Sequence, residues 1–126
     1  MTKTTPNDRE SGALNEPKAT RYQCDLSVLD HEQRTRRAQL AAEIWSRSRE
    51  RKELATGYEF RFDFSPTLVN KIAELATLEH LCCPFLDLGI MLSTASSGSQ
   101  LLLRLTGDSG AKEFLEAELG LQKIMT

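Results

Sequence analysis

Tyr58-Glu59-Phe60-Arg61-Phe62-Asp63-Phe64-Ser65-Pro66 decides how the rest of the chain is read. Four aromatic rings alternate with three charged residues. That period of two predicts a half-buried β-strand with its rings on the core face. A base-stacking platform would need exposed rings beside basic neighbours, and Arg61 alone supplies one. Ser65 and Pro66 then change the period, as the N-cap and first residue of a helix. Leu68, Ile72, Leu75, Glu79, Cys82 and Leu86 follow at helical spacing, flanked by Val69, Ala76 and Cys83. Gly89 closes this segment. A strand running straight into an amphipathic helix implies a sheet with helices packed on it.

On the N-terminal side, Tyr22, Cys24, Leu26 and Val28 alternate with Gln23, Asp25 and Ser27, which predicts another strand with Cys24 facing the core. Asp30 and Gln33 form a capping box that opens a helix expected to reach about Leu54. Its inward face carries Ala38, Ala41, Ile44, Trp45 and Ser48. On the C-terminal side, Ile90 to Thr94 and Gln100 to Thr106 predict a hairpin around Ser96-Ser97-Gly98-Ser99. Gly107 and Asp108 lead into a last helix from Ser109 to Leu119. The expected fold is α+β: a single two-layer domain over residues 21–126, one four-stranded sheet with helices packed on it, in the order β-α-β-α-β-β-α. Its strand-helix-strand units would be right-handed if their strands are parallel. Residues 1–20 hold Pro6, Pro17 and little to bury, so a flexible N-terminal tail is expected there.

With 126 residues, 40% of them hydrophobic, the chain is long enough to bury one core. The net charge of -2 gives no electrostatic footprint for nucleic acid. Arg34, Arg36, Arg37, Arg47, Arg49, Arg51 and Lys52 are spread around the first helix and diluted by Glu32, Glu43, Glu50 and Glu53, so they read as a solvated face. No apolar run approaches the roughly 20 residues that cross a bilayer, and no membrane partner is expected. Residues 1–20 show no secretory apolar stretch. A cytoplasmic location and reduced cysteines are therefore the expectation. Three cysteines cannot all pair within one chain.

The chemistry concentrates in Leu78-Glu79-His80-Leu81-Cys82-Cys83-Pro84-Phe85-Leu86-Asp87. Glu79 interrupts an apolar stripe, where a lone buried carboxylate is costly. Cys82 and Cys83 follow it by three and four positions and share its helical surface. Pro84 should break the helix at Cys83. Were a second helix to begin at Pro84, Cys83 would be its N-cap, with a stabilised thiolate. Glu79 would either oppose that thiolate or, as a desolvated carboxyl, serve as its base. His80 is displaced by about 100° around the helix.

Adjacent Cα atoms lie ~3.8 Å apart, short of the ~4.4–6.8 Å that disulfides span, so a Cys82–Cys83 bond is disfavoured. Vicinal thiols suit a soft ion better. Cys24 is placed to add a third sulfur, and His80 or Glu79 a harder ligand. Zinc ribbons and fingers separate paired ligands by two to four residues, which is not the spacing here. With only His31 and His80 in the chain, a histidine-rich site is excluded. Buried cysteines serving only as small hydrophobes are the bland alternative.

The run Leu78-Glu79-x-x-Cys82-Cys83-Pro84-Phe85-Leu86 resembles a motif of small uncharacterised bacterial proteins associated with heavy-metal or arsenic resistance. The resemblance covers about ten residues and a plausible order of elements; it favours a soft-ion site and carries over no established catalytic role. Three readings follow. The first is a thiol-site protein that binds a soft metal or metalloid ion, with Cys82, Cys83, Cys24 and His80 as ligands. The second is a thiol redox or thiol-transfer enzyme acting on a small molecule, with Cys83 as nucleophile and Glu79 beside it. The third is a non-catalytic domain that forms a homo-oligomer or binds a partner.

Overall fold

The aromatic strand forms where its alternation predicts it. It is β2, Gly57–Asp63, the second of four strands in a computed structural model that describes residues 23–96 and 98–120. The others are β1, Glu50–Leu54, then β3, Asp87–Ala95, and β4, Gly98–Thr106. The helices are α1, His31–Ser46, α2, Pro66–Cys82, and α3, Ser109–Leu119, with a short 3-10 turn at Leu26–Val28. The sheet runs β1-β2-β4-β3 with every neighbouring pair antiparallel. It is two hairpins joined through their inner strands. α2 carries the chain from one hairpin to the other.

Register explains the core. Tyr58, Phe60 and Phe62 stand opposite Leu105, Leu103 and Leu101, and all six side chains are buried. The other face carries Glu59, Arg61 and Arg104, with Arg104 Nε 2.7 Å from Glu59 Oε1. Helices therefore cover one face only, which makes two layers. Leu40 and Ile44 of α1, Leu68, Ile72, Leu75 and Leu78 of α2, and Ala111 and Leu115 of α3 pack into this core. Arg36–Glu74 at 2.9 Å and Lys71–Glu43 at 2.8 Å tie α1 to α2 along their exposed edges.

The α+β class and the four-stranded sheet stand, but the first strand is elsewhere. Residues 23–25 are irregular, and Leu26–Val28 turn instead of extending. Asp25 accepts hydrogen bonds from the backbone and hydroxyl of Ser27, so a local side-chain turn displaces the ladder. Leu26 and Val28 are 40% and 53% exposed, so their alternation had no core to face. The expected long helix stops at Ser46. Glu50 to Leu54 turn back as β1 and pair with β2, and the order becomes α-β-β-α-β-β-α. Gly57 permits the close approach of β4 to the start of β2, because a Cβ there would strike the Leu105 carbonyl oxygen. With the sheet wholly antiparallel, the handedness rule for parallel units does not arise.

Phe64 lies beyond the end of β2 and is 43% exposed, so three of the four rings enter the core, not four. β3 begins at Asp87 and takes in Gly89, which is a strand residue and no helix terminator. The expected tail, residues 1–20, lies outside the described residues. Among the described residues no helix is long and apolar enough to cross a membrane.

Candidate functional site

Ser65 starts α2 as predicted, accepting from the Leu68 backbone N–H with Pro66 in the first turn. The other end is where the chemistry gathers. The helix stops at Cys82, and Cys83 is its C-cap, donating its N–H to the Glu79 carbonyl at 2.6 Å. Pro84 begins a turn, not a helix. Cys83 is therefore no N-cap. It sits at the negative end of a helix, which opposes a thiolate. The last turn holds Glu79, Cys82 and Cys83 on its inner side, and both cysteines are fully buried.

The segment before α1 closes over this turn. The Asp25 N–H donates to the Cys82 carbonyl at 2.7 Å, which draws Cys24 onto Cys83. Their Cα atoms are 4.4 Å apart, and the two residues form a disulfide across 59 positions of sequence. This corrects the expectation of three reduced thiols. Neighbours in sequence cannot bridge without strain, whereas Cys24 arrives from outside the helix at bonding distance. Cys82 remains the free thiol, its Sγ 3.6 Å from that of Cys83.

Glu79 Oε1 lies 3.3 Å from Cys83 Sγ, and its other oxygen is 2.8 Å from Arg37 Nη2. The two side chains of this ion pair are only 18% and 21% exposed. Burial pushes the Glu79 carboxyl up, while Arg37 pulls it part of the way back. Burial also raises the Cys82 thiol, and Glu79 adds to that by repelling a second negative charge. A soft ion would relieve both effects by replacing the thiol proton.

Cys24, Glu79, Cys82 and Cys83 each offer one potential ligand atom, and these atoms all lie within 4.8 Å of one another. Three sulfurs and one carboxylate oxygen form a soft donor set once the disulfide is reduced. His80 stands apart. It is exposed, about a quarter-turn of α2 away from Glu79, in a shallow groove with Thr77, Pro84 and Asp87.

Arg37 was grouped with the solvated basic face of the first helix, and the structure assigns it to the site. Its signal was readable: Arg37, Ala41, Ile44 and Trp45 recur at helical spacing, which puts one cation on the buried stripe opposite the buried Glu79. Between α1, α2, α3 and the sheet lies a cavity of about 230 Å³. Its walls include Cys24, Arg37 and Glu79 together with Trp45, Leu103 and Phe114. Comparison with models of protein families, with curated proteins and with solved structures returns no match.

Proposed function

We propose that this protein binds a soft metal or metalloid ion through Cys24, Cys82 and Cys83, with Glu79 at the margin of the site. The motif resemblance to proteins linked with heavy-metal or arsenic resistance points the same way. The observation that carries the reading is the convergence of three sulfurs and a carboxylate within 4.8 Å. Two of the sulfurs are joined, so binding follows reduction. An external dithiol delivers two electrons, becomes a disulfide itself, and leaves Cys24 and Cys83 as thiols. An ion then displaces the thiol protons. His80, exposed and outside the converging donors, is not among the ligands of this reading.

The test uses the full chain reduced with a phosphine. Arsenite or mercuric ion should bind one per chain and protect all three cysteines from alkylation. Cys83→Ser should abolish protection, and the oxidised chain should take up no arsenite. Slow, equal labelling with no protection by either ion would mean inert buried thiols and would end this reading.

A second reading is favoured by one observation, the disulfide between Cys24 and Cys83. Reduced Cys83 attacks a substrate disulfide R–S–S–R′ and releases R′S⁻. Cys24 then attacks the Cys83 sulfur, releases RS⁻ and restores the internal bond. Catalytic turnover of a small disulfide, with no stoichiometric ion uptake, would put this reading ahead of the first.

A further inference from the structure

We propose that the ion bound at Cys24 and Cys83 carries one aryl substituent, which occupies the cavity between the three helices and the sheet. This rests on the soft-ion reading and names its ligand class, an aryl-substituted metalloid such as a trivalent arylarsenical. Three observations lead there.

The first is continuity. Cys24 and Glu79 belong both to the donor cluster and to the cavity wall, so a substituent on an ion held by Cys24 points into the cavity. The second is size and lining. Cores have few voids larger than a water molecule. A cavity of about 150 Å³ lined by aliphatic and aromatic side chains suffices for benzene. This one is about 230 Å³, and Trp45, Leu75, Leu103, Leu105 and Phe114 line it, with Arg37, Glu79 and Glu118 as the charged residues of its wall. A bare ion would leave that space unused. The third is Arg37. Its Nε–H is buried with no hydrogen-bond partner among the described residues, in the same wall. A ring face accepts such a donor and attracts the guanidinium charge, which a methyl group cannot do.

The binding step balances without redox change. An arylarsenous acid, Ar–As(OH)₂, meets two thiols. Two As–S bonds form, two As–O bonds break, and the thiol protons leave with the hydroxides as two waters. Cys24 and Cys83 supply the sulfurs, and Cys82 is spare. Inorganic arsenite takes all three.

Phosphine-reduced full-length protein is titrated with phenylarsenous acid, methylarsenous acid and arsenite, with dithiothreitol as the reference dithiol. The phenyl compound should be preferred over the methyl by at least about tenfold more on the protein than on dithiothreitol. Ala76→Leu and, independently, Ala41→Leu should fill the cavity and remove that extra preference while arsenite still binds. Cys82→Ala should weaken arsenite and spare the phenyl compound. Arsenite binding with the same phenyl-to-methyl preference as dithiothreitol would overturn the aryl inference and leave the soft-ion reading in place. Binding of none of the three compounds would overturn both.

Discussion

The two ends of α2 bury different things at the same spacing. Leu68, Ile72 and Leu75 place hydrocarbon in the core beside Phe60, Phe62 and Leu101. One turn further on, Glu79, Cys82 and Cys83 carry the stripe into an ion pair, a thiol and a disulfide. Hydrocarbon burial responds to neither proton nor electron. The last turn responds to both. A helix built this way holds the fold constant while its end changes state, so the division can be tested by asking which perturbations depend on redox state and pH.

The largest effect belongs to the hydrocarbon end. Phe62 is fully buried, and Phe62→Ala should lower stability by about 3–5 kcal/mol. Urea denaturation should give the same loss with and without reductant. A loss that changed with reduction would mean that the two ends are one unit.

Next comes the disulfide. Closing a loop of 59 positions restricts the unfolded chain, and opening it should lower stability by about 2–4 kcal/mol. Cys24→Ser should show this deficit without reductant and match the reduced wild-type chain with it. A deficit that persists in reductant would assign Cys24 a packing role beyond its bond.

The hydrocarbon end was legible in the sequence, and the chemical end only in part. The rings of Tyr58, Phe60 and Phe62 and the Ser65-Pro66 cap act locally, so period and propensity were enough. Glu50 to Leu54 were misread because their charged sequence suits a helix. Pairing with β2, a tertiary demand, made them a strand. Gln23 to Val28 failed the other way, since a period of two counts only where a sheet is present to receive it. At the site, Glu79, Cys82 and Cys83 were found from spacing. Cys24 is a candidate third sulfur from the sequence, and Arg37 falls on the apolar stripe of its helix; that both meet Glu79 and Cys83 depends on how the segments before α2 fold back, which no local pattern encodes.

A smaller effect should come from the ion pair, and it should depend on pH. Burial raises the folded-state pKa of Glu79 above its ordinary value. The folded protein therefore holds that proton more tightly than the unfolded chain does. The stability from this group is fully present below the ordinary carboxylate pKa and is lost as pH rises through the raised one. Arg37 opposes the shift, so Arg37→Gln should raise the pKa further and leave a poorly solvated anion at higher pH. The expected loss is about 1–3 kcal/mol near pH 8 and less near pH 4. Denaturation of both proteins across that range reads it directly. A loss independent of pH would mean that Arg37 acts through its hydrocarbon stem alone.

The smallest effect should be at His80, and it separates neighbours in sequence from neighbours in space. His80 adjoins Glu79 in the chain and is a candidate ligand from the sequence, yet its side chain turns away from the site and is exposed. The four converging donors do not include it. Surface substitutions away from caps and networks usually change stability by about 0.5 kcal/mol or less. His80→Ala should stay within that limit and leave arsenite uptake by the reduced chain unchanged, whereas Cys83→Ser abolishes it. Intrinsic-affinity titrations of both variants against wild type make the comparison. A tenfold loss of affinity in His80→Ala would mean that the end of α2 unwinds on reduction and turns His80 inward, and the redox-sensitive region would then extend past the last turn into the helix itself.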